Sequence, residues 1–366
     1  MDIVNRFGHG TLYSMDELIS EQSEISIPMI YATSTACMSV TSDLMSWASE
    51  KHSNIVFVDK NGEKYNNIII VLGCQVTDLA ILNDIKTAER LHDENPKATI
   101  YMGGCLAYRF DIELPKYIRR LAATRIEYNP IDMESNSIQW EKPFWVKNWE
   151  ESDEEFSDGH LFRDMYPLKI GAGCSGKCKY CTIRDTRGQG YEADAFLQVK
   201  EFLDHNDVVL VSDSPTVQQI KDWDIIAHRY NKQFSLRNVE PSVVCACKDE
   251  LMELAEHKLL KILHSPIQSN NEELLKIMNR SVKLTFDAID ILKSLRKLGV
   301  KIATNIIIDY TYDGKKYKNM DVNWLNDTFD YWSWNPYFDG NWSRDKAEER
   351  FNEYINNRSG HEPEGT

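Results

Sequence analysis

Three cysteines stand close together in Gly173-Cys-Ser-Gly-Lys-Cys-Lys-Tyr-Cys181, with the spacing C-x3-C-x2-C. Three thiolates on one loop suit an iron–sulfur cluster, whose irons are held by cysteine sulfur. A four-iron cube with three protein ligands keeps one iron open. Zinc is the alternative, but a structural zinc site normally has four ligands, and the flanking residues supply neither a His nor a fourth Cys. Lys177 and Lys179, between the cysteines, argue against three thiols buried as apolar packing.

The other five cysteines are spread along the chain. Cys37, Cys74 and Cys105 each follow a stretch that reads as a strand. In open parallel sheets ligands collect beyond the strand C-termini, so these three could meet in one crevice. The alternative is three unrelated buried cysteines. Cys245 and Cys247 read as packing. Lys177, Lys179, Arg184 and Arg187 make the cysteine loop locally basic, suited either to an anionic group or simply to solvent. Ser212, Asp213, Asn238 and Glu240 follow two later strands and read equally as turn or cap residues. His264 and Gln268 lie after another, and a lone loop His is commonly a structural hydrogen-bonder.

The elements that must position these residues alternate strand and helix, which predicts parallel sheets. Strands are expected over 27–32, 67–72 and 98–102, with helices over 38–50 and 78–92. A hairpin is expected around Asn61-Gly62, then a helix over 115–123 and a strand over 125–128. Glu150–Asp158 holds six acids and no base, as a solvated linker would. Five further strand–helix units follow, with strands at 168–172, 207–211, 233–239, 259–264 and 301–308. That repeat suits a full or partial (β/α) barrel, whose sites lie at strand C-terminal ends. Cys174, Asp213, Asn238, His264 and Asp309 all fall there. The expected fold class is therefore α/β: a Rossmann-like parallel-sheet domain (26–149) after an N-terminal extension (1–25), an acidic linker (150–165), a partial barrel (166–320), and an aromatic, acidic tail (321–366). The tail carries Trp324, Trp332, Trp334 and Trp342, read as core at the barrel mouth or as a peptide-docking surface.

The 366 residues include 57 Asp and Glu against 42 Lys and Arg, a net charge of −15. A chain this acidic is a poor binder of nucleic acid through overall charge. No apolar run approaches the ~18 residues of a membrane span, and no signal-peptide pattern opens the sequence, so a cytoplasmic protein without a membrane partner is expected.

The cysteine loop resembles the radical SAM signature, and Tyr180 fits the aromatic position before its last cysteine. The longer string Gly173–Gly188 resembles the radical SAM methylthiotransferase family. So do His264-Ser-Pro-Ile-Gln-Ser-Asn-Asn-Glu-Glu-Leu-Leu-Lys-Ile-Met-Asn-Arg280 and the segments around Cys37, Gly73-Cys74 and Gly103-Gly-Cys105. The resemblance implies two [4Fe-4S] clusters, one on Cys174, Cys178 and Cys181 and an auxiliary one on Cys37, Cys74 and Cys105. It also implies S-adenosylmethionine as cofactor, with Tyr180, Arg184, Ser212, Asp213, Asn238, Glu240 and Gln268 as its contacts. The implied reaction converts C–H to C–S–CH3 through a 5′-deoxyadenosyl radical, fed by an electron donor such as flavodoxin or ferredoxin. Two features depart from the family: Asp309–Gly314 stands where Gly-Phe-Pro-Gly-Glu is usual, and the tail does not read as the usual C-terminal RNA-binding barrel. A peptide or protein substrate is therefore expected, with tRNA as the alternative and a non-catalytic iron–sulfur scaffold or electron-transfer protein as a reading of another class.

Overall fold

The computed structural model describes residues 2–14, 29–32, 56–57, 68–75, 77–122, 162, 165–317, 321–338 and 341–358. The described residues before 124 and after 337 form one compact unit, and those from 124 to 337 form the other.

The first unit is built on a parallel sheet. Strands β1 (Asp2–Asn5) and β2 (Gly8–Thr11) make a separate antiparallel hairpin. Strands β3 (Met29–Ala32), β4 (Val56–Phe57), β5 (Ile68–Gly73), β6 (Thr99–Gly104) and β7 (Ile118–Arg120) make a five-stranded sheet in the order β4-β3-β5-β6-β7, every pair parallel. The apolar run of β5 is buried along its whole length, as a central parallel strand covered on both faces requires. Helix Asp78–Glu94 covers the sheet, capped by Thr77, whose side chain accepts from the Ala80 N–H. Ile81, Ile85 and Ala88 recur at helical spacing and pack on Ile69, Val71 and Ile100.

Three expectations change here. The N-terminal extension joins this unit: Tyr13 bridges Leu121, with backbone bonds to Arg120 and Ala122. The helix expected over 115–123 is a turn and strand β7: Ile118 faces the core cluster, Arg119 points outward, and Arg120 turns inward to donate to the Leu106, Ala107 and Ile112 carbonyls. Strand β4 pairs in parallel with β3. Part of the tail, helix Arg344–Arg358, packs on helix Asp78–Glu94. Arg344 there bridges Glu89 (2.6 Å), and Arg350 bridges Asp78 (2.8 Å). Helix 38–50, the hairpin around Asn61-Gly62, strand 125–128, the linker run and Cys37 lie outside the described residues.

The second unit holds a six-stranded sheet. Its strands are β8 (Tyr166–Lys169), β11 (Val208–Val211), β12 (Phe234–Leu236), β13 (Leu260–His264), β14 (Lys301–Ile308) and β17 (Tyr331–Pro336), adjacent in that order and all parallel. Short antiparallel pairs join β9 (Gly171–Ala172) to β10 (Tyr191–Glu192), and β15 (Tyr310–Tyr312) to β16 (Lys315–Tyr317). Helices Val217–Tyr230, Lys248–Glu256 and Val282–Lys297 cover the sheet through Ile220, Trp223, Leu251, Leu254 and Leu292. Thr216 and Gln219 form a reciprocal capping box that starts the first of these helices. The sheet is the expected partial (β/α) barrel, with one correction. The sixth strand, β17, comes from the expected tail, and Trp324 and Trp332 pack against the barrel core. Of the tail's tryptophans in this unit only Trp334 is largely exposed, at 44%.

Candidate active site at the cysteine loop

The cysteine loop leaves the sheet after β8 and is fixed at both ends by one side chain. Asp213, just beyond β11, accepts from the Gly173 N–H (2.8 Å) through one oxygen. Its other oxygen pairs with Arg187 at 2.5 Å. Both side chains of this pair are nearly fully buried. The Cys174 N–H also donates to the Gly188 carbonyl (3.2 Å), closing the loop on itself. Gly173 sits at φ +79, and a Cβ there would come within 2.5 Å of the Gly190 nitrogen, so this closure needs glycine.

A second clamp comes from the end of the long string around His264. The Lys179 N–H donates to the Met278 carbonyl (3.1 Å), and Asn279 donates to the Lys177 carbonyl (2.9 Å). Arg280 is buried at 9% exposure and spreads its guanidinium over four partners. It reaches the Tyr180 hydroxyl (3.0 Å), the Cys178 Sγ (3.8 Å), the Glu240 carboxylate and the Pro266 carbonyl (both 2.8 Å). Burial opposes the Arg280 charge, but Tyr180, Glu240 and Cys178 around it outweigh burial and raise its pKa. In the sequence alone Arg280 has no assigned role. Its only sequence-level signal was its place at the end of that string.

Burial pushes the Cys178 thiol up and pushes Cys181 up to about 12. Both therefore hold their protons at neutral pH until a metal displaces them. The Gly176 N–H already donates to the Cys174 Sγ at 3.2 Å. The three sulfurs do not all lie within 4.8 Å of one another. A single tetrahedral zinc, with Zn–S bonds of about 2.3 Å, would draw its sulfurs to roughly 3.8 Å. A cube instead offers each thiolate its own iron. The donors present thus fit a three-cysteine cluster.

Cys174, Cys178, Lys177 and Glu240 line a cavity of about 600 Å³, within the range of small-molecule sites. Among the expected cofactor contacts, Glu240 lines this cavity. Asp213 and Tyr180 are engaged in the two clamps. Arg184 is exposed on the short helix Ile183–Arg187. Ser212 is buried, and its hydroxyl accepts from the Ser214 N–H. Asn238, at φ +61, donates from its side chain to the Ser212 carbonyl and from its N–H to His264 Nδ1 (3.2 Å). His264 Nε2 meets Asn305 Oδ1, which sets the Nε2–H tautomer. Gln268 exchanges backbone hydrogen bonds with β14. His264 and Asn238 thus tie the ends of β12, β13 and β14 together.

In the first unit, Cys74 and Cys105 follow Gly73 and Gly104, which face each other in adjacent strands. Gly104 has φ +70, and a Cβ on it would lie 2.5 Å from the Gly73 carbonyl oxygen, so the two cysteine-bearing strand ends close together only with glycine there. The Cys74 N–H donates to the buried Asp84 at 2.6 Å. Strand β3, whose end precedes Cys37 by five residues, is the neighbour of β5 on its other side. Cys245 and Cys247 lie elsewhere, on and after helix Pro241–Ala246. Their thiols meet the carbonyls of Leu284 and Val217, and Cys247 is buried in the barrel core.

Known proteins agree with this geometry. The radical SAM superfamily matches residues 168–319, from β8 through β16. The chain is 21% identical to tRNA-2-methylthio-N(6)-dimethylallyladenosine synthase of Karelsulcia muelleri, over 75% of this chain and 68% of that protein. It is 24% identical to threonylcarbamoyladenosine tRNA methylthiotransferase MtaB of Bacillus subtilis, over 68% and 60%. It is 26% identical to the ribosomal protein methylthiotransferase RimO of Carboxydothermus hydrogenoformans, over 67% and 60%. The barrel region matches the radical SAM superfamily, and the chain is similar to methylthiotransferases. Its matches span about 60 to 68% of those relatives' lengths. A solved radical S-adenosylmethionine methyltransferase, TsrM of Kitasatospora setae, aligns at TM-score 0.47 and 10% identity, over 78% of this chain and 68% of that one. Strand β17 lies beyond the matched domain, so the sixth barrel strand is visible only in the fold. Among the described residues no helix is long and apolar enough to cross a membrane.

Proposed function

We propose that this protein transfers a methylthio group, converting C–H to C–S–CH3 on a peptide or protein substrate. The observation that carries the reading is the three-thiol loop at the rim of the 600 Å³ cavity, clamped by Asp213 and Arg187 on one side and by Arg280 on the other. Bound at the two cysteine triads, four-iron clusters and S-adenosylmethionine would supply a hydrogen-abstracting radical and the transferred sulfur, chemistry that no side-chain base performs at unactivated carbon. The chain's own residues set the geometry. Cys174, Cys178 and Cys181 would hold one cluster, and Cys37, Cys74 and Cys105 the other. Glu240 faces the cavity and is the direct cofactor contact in this reading, while Asp213, Tyr180, Arg187 and Arg280 position the loop.

The net charge of −15 supports a peptide over a nucleic acid, because phosphate binding needs local cation excess. The names of the Karelsulcia and Bacillus relatives favour a second reading, tRNA modification. It would rest on the exposed Lys177, Lys179 and Arg184 of the cysteine loop. Mass spectrometry of peptide and tRNA-nucleoside pools, with and without the active protein, separates the two. A new methylthio mass in peptides alone supports the first reading. Methylthio-adenosine, with sub-micromolar, salt-sensitive tRNA binding, would replace it with the second.

A further inference from the structure

The geometry points to an additional metal site, for a zinc-class divalent cation, on the helical layer of the barrel: His228, Glu253 and His257. These three side chains bring one ligand atom each within 4.8 Å of the others. His228 Nε2 stands 3.4 Å from His257 Nδ1 and 3.9 Å from Glu253 Oε1. A tetrahedral ion with bonds of about 2.0–2.2 Å places its ligand atoms roughly 3.3–3.6 Å apart, so small side-chain shifts complete the set.

Two packed helices build the site. His228 lies in the last turn of helix Val217–Tyr230, and Glu253 and His257 lie one turn apart at the end of helix Lys248–Glu256. One face of a helix thus presents a carboxylate and an imidazole at i and i+4, and its neighbour supplies the second imidazole. Both helix ends carry the negative end of the helix dipole, which favours a cation. They lie at the barrel edge remote from the strand C-termini, so an ion there would be independent of the cysteine loop.

A supporting shell is already in place. His228 Nδ1 lies 3.0 Å from the Asp224 carbonyl oxygen and 3.1 Å from its carboxylate. Its proton is therefore held on Nδ1, and the Nε2 lone pair is left for a ligand bond, the carboxylate–imidazole arrangement that orients metal-binding histidines. His257 Nδ1 is 2.9 Å from the Glu253 carbonyl. The ion would take that nitrogen in place of the hydrogen bond, or the ring would turn to offer Nε2. Two imidazoles and one carboxylate are a zinc donor set with positions left for water, and zinc outcompetes iron(II) for such donors. The ion would staple two helix C-termini across the barrel surface.

The test uses the full chain, anaerobically reconstituted so that iron already occupies the cysteines. Calorimetry with Zn2+ should find one further equivalent bound at about micromolar affinity. The double variant His228→Ala/His257→Ala should lose that equivalent while cleaving S-adenosylmethionine at the original rate. Asp224→Asn should weaken zinc binding about tenfold, and Glu253→Gln, which leaves both histidines in place, should weaken it as well. Zinc should raise the melting temperature of the original chain but not of the double variant. Equal zinc uptake by the original chain and the double variant would overturn the site.

Discussion

The two proposed cysteine triads solve one problem in opposite ways. In the barrel, Cys174, Cys178 and Cys181 share one loop, so local spacing delivers three sulfurs together and the fold only has to hold the loop still. Asp213, Arg187 and Arg280 do that from neighbouring strands and turns. In the first unit, Cys74 and Cys105 are brought near one another by the sheet itself, through the pairing of Gly73 with Gly104. The barrel triad should therefore be sensitive to the ion pairs that pin a loop. The sheet triad should be sensitive to glycines that let strands close.

The largest expected effect separates the two by chemistry. Replacing Cys174, Cys178 and Cys181 by Ala should abolish S-adenosylmethionine cleavage, measured as 5′-deoxyadenosine released by the reduced protein. Replacing Cys37, Cys74 and Cys105 should leave cleavage intact and remove methylthio product. If the second variant still forms product, the sheet triad is not the sulfur carrier.

Next comes the loop clamp. Asp213→Ala breaks the buried ion pair with Arg187, which costs about 3–5 kcal/mol. It should lower the denaturation midpoint and cut iron retention at the barrel. A midpoint unchanged in urea would show that the pair does not hold the loop.

For the sheet triad the matching change is Gly104→Ala. The forced Cβ contact and the positive φ should cost at least about 2 kcal/mol and impair methylthio product more than cleavage. The reverse order, with cleavage more affected, would break the distinction between the triads.

A milder test targets Arg280. Arg280→Lys keeps the charge but loses the fork that joins Tyr180, Glu240 and Pro266. The KM for S-adenosylmethionine should rise about tenfold, the scale of one charged hydrogen bond, with iron content near normal. An unchanged KM would remove Arg280 from the positioning network.

The smallest effect is acid sensitivity in the barrel. His205 stacks on Tyr166 with ring centroids 3.5 Å apart, and burial lowers its pKa below 6.5. A base whose folded pKa is depressed binds its proton more readily when unfolded. Its contribution is present above about pH 6.5 and fades as pH falls through the lowered folded value. Thermal stability should drop between pH 7.5 and 5.5, and by less in His205→Gln. Equal losses would assign the acid sensitivity elsewhere.

Much of this was legible locally. The C-x3-C-x2-C spacing, the buried run at Ile68–Leu72 and the start of the helix at Thr216 are signals carried by neighbours in sequence. The β15–β16 hairpin had such a signal too: Asp313-Gly314, both at positive φ, is the two-residue turn that joins antiparallel strands. Other features depend on distant partners. Strand β17 is polar, Trp-rich and ends in Pro336, and it becomes a strand only because β14 offers it a parallel edge. Ile118–Arg120 likewise needs β6 beside it. Nothing near Arg280 in sequence reveals that it meets residues 40 and 100 positions away. Asp213 reads in sequence as a turn or cap residue or a cofactor contact, and nothing near it reveals its bonds to Gly173 and Arg187.

The central claim is that the two triads carry separate clusters, and iron content per chain tests it most directly. Anaerobically reconstituted protein should hold about eight irons. Each triple cysteine variant should hold about four, with the barrel variant losing cofactor cleavage and the sheet variant keeping it. A barrel variant that retains the full iron load, or a sheet variant that loses all of it, would contradict the account.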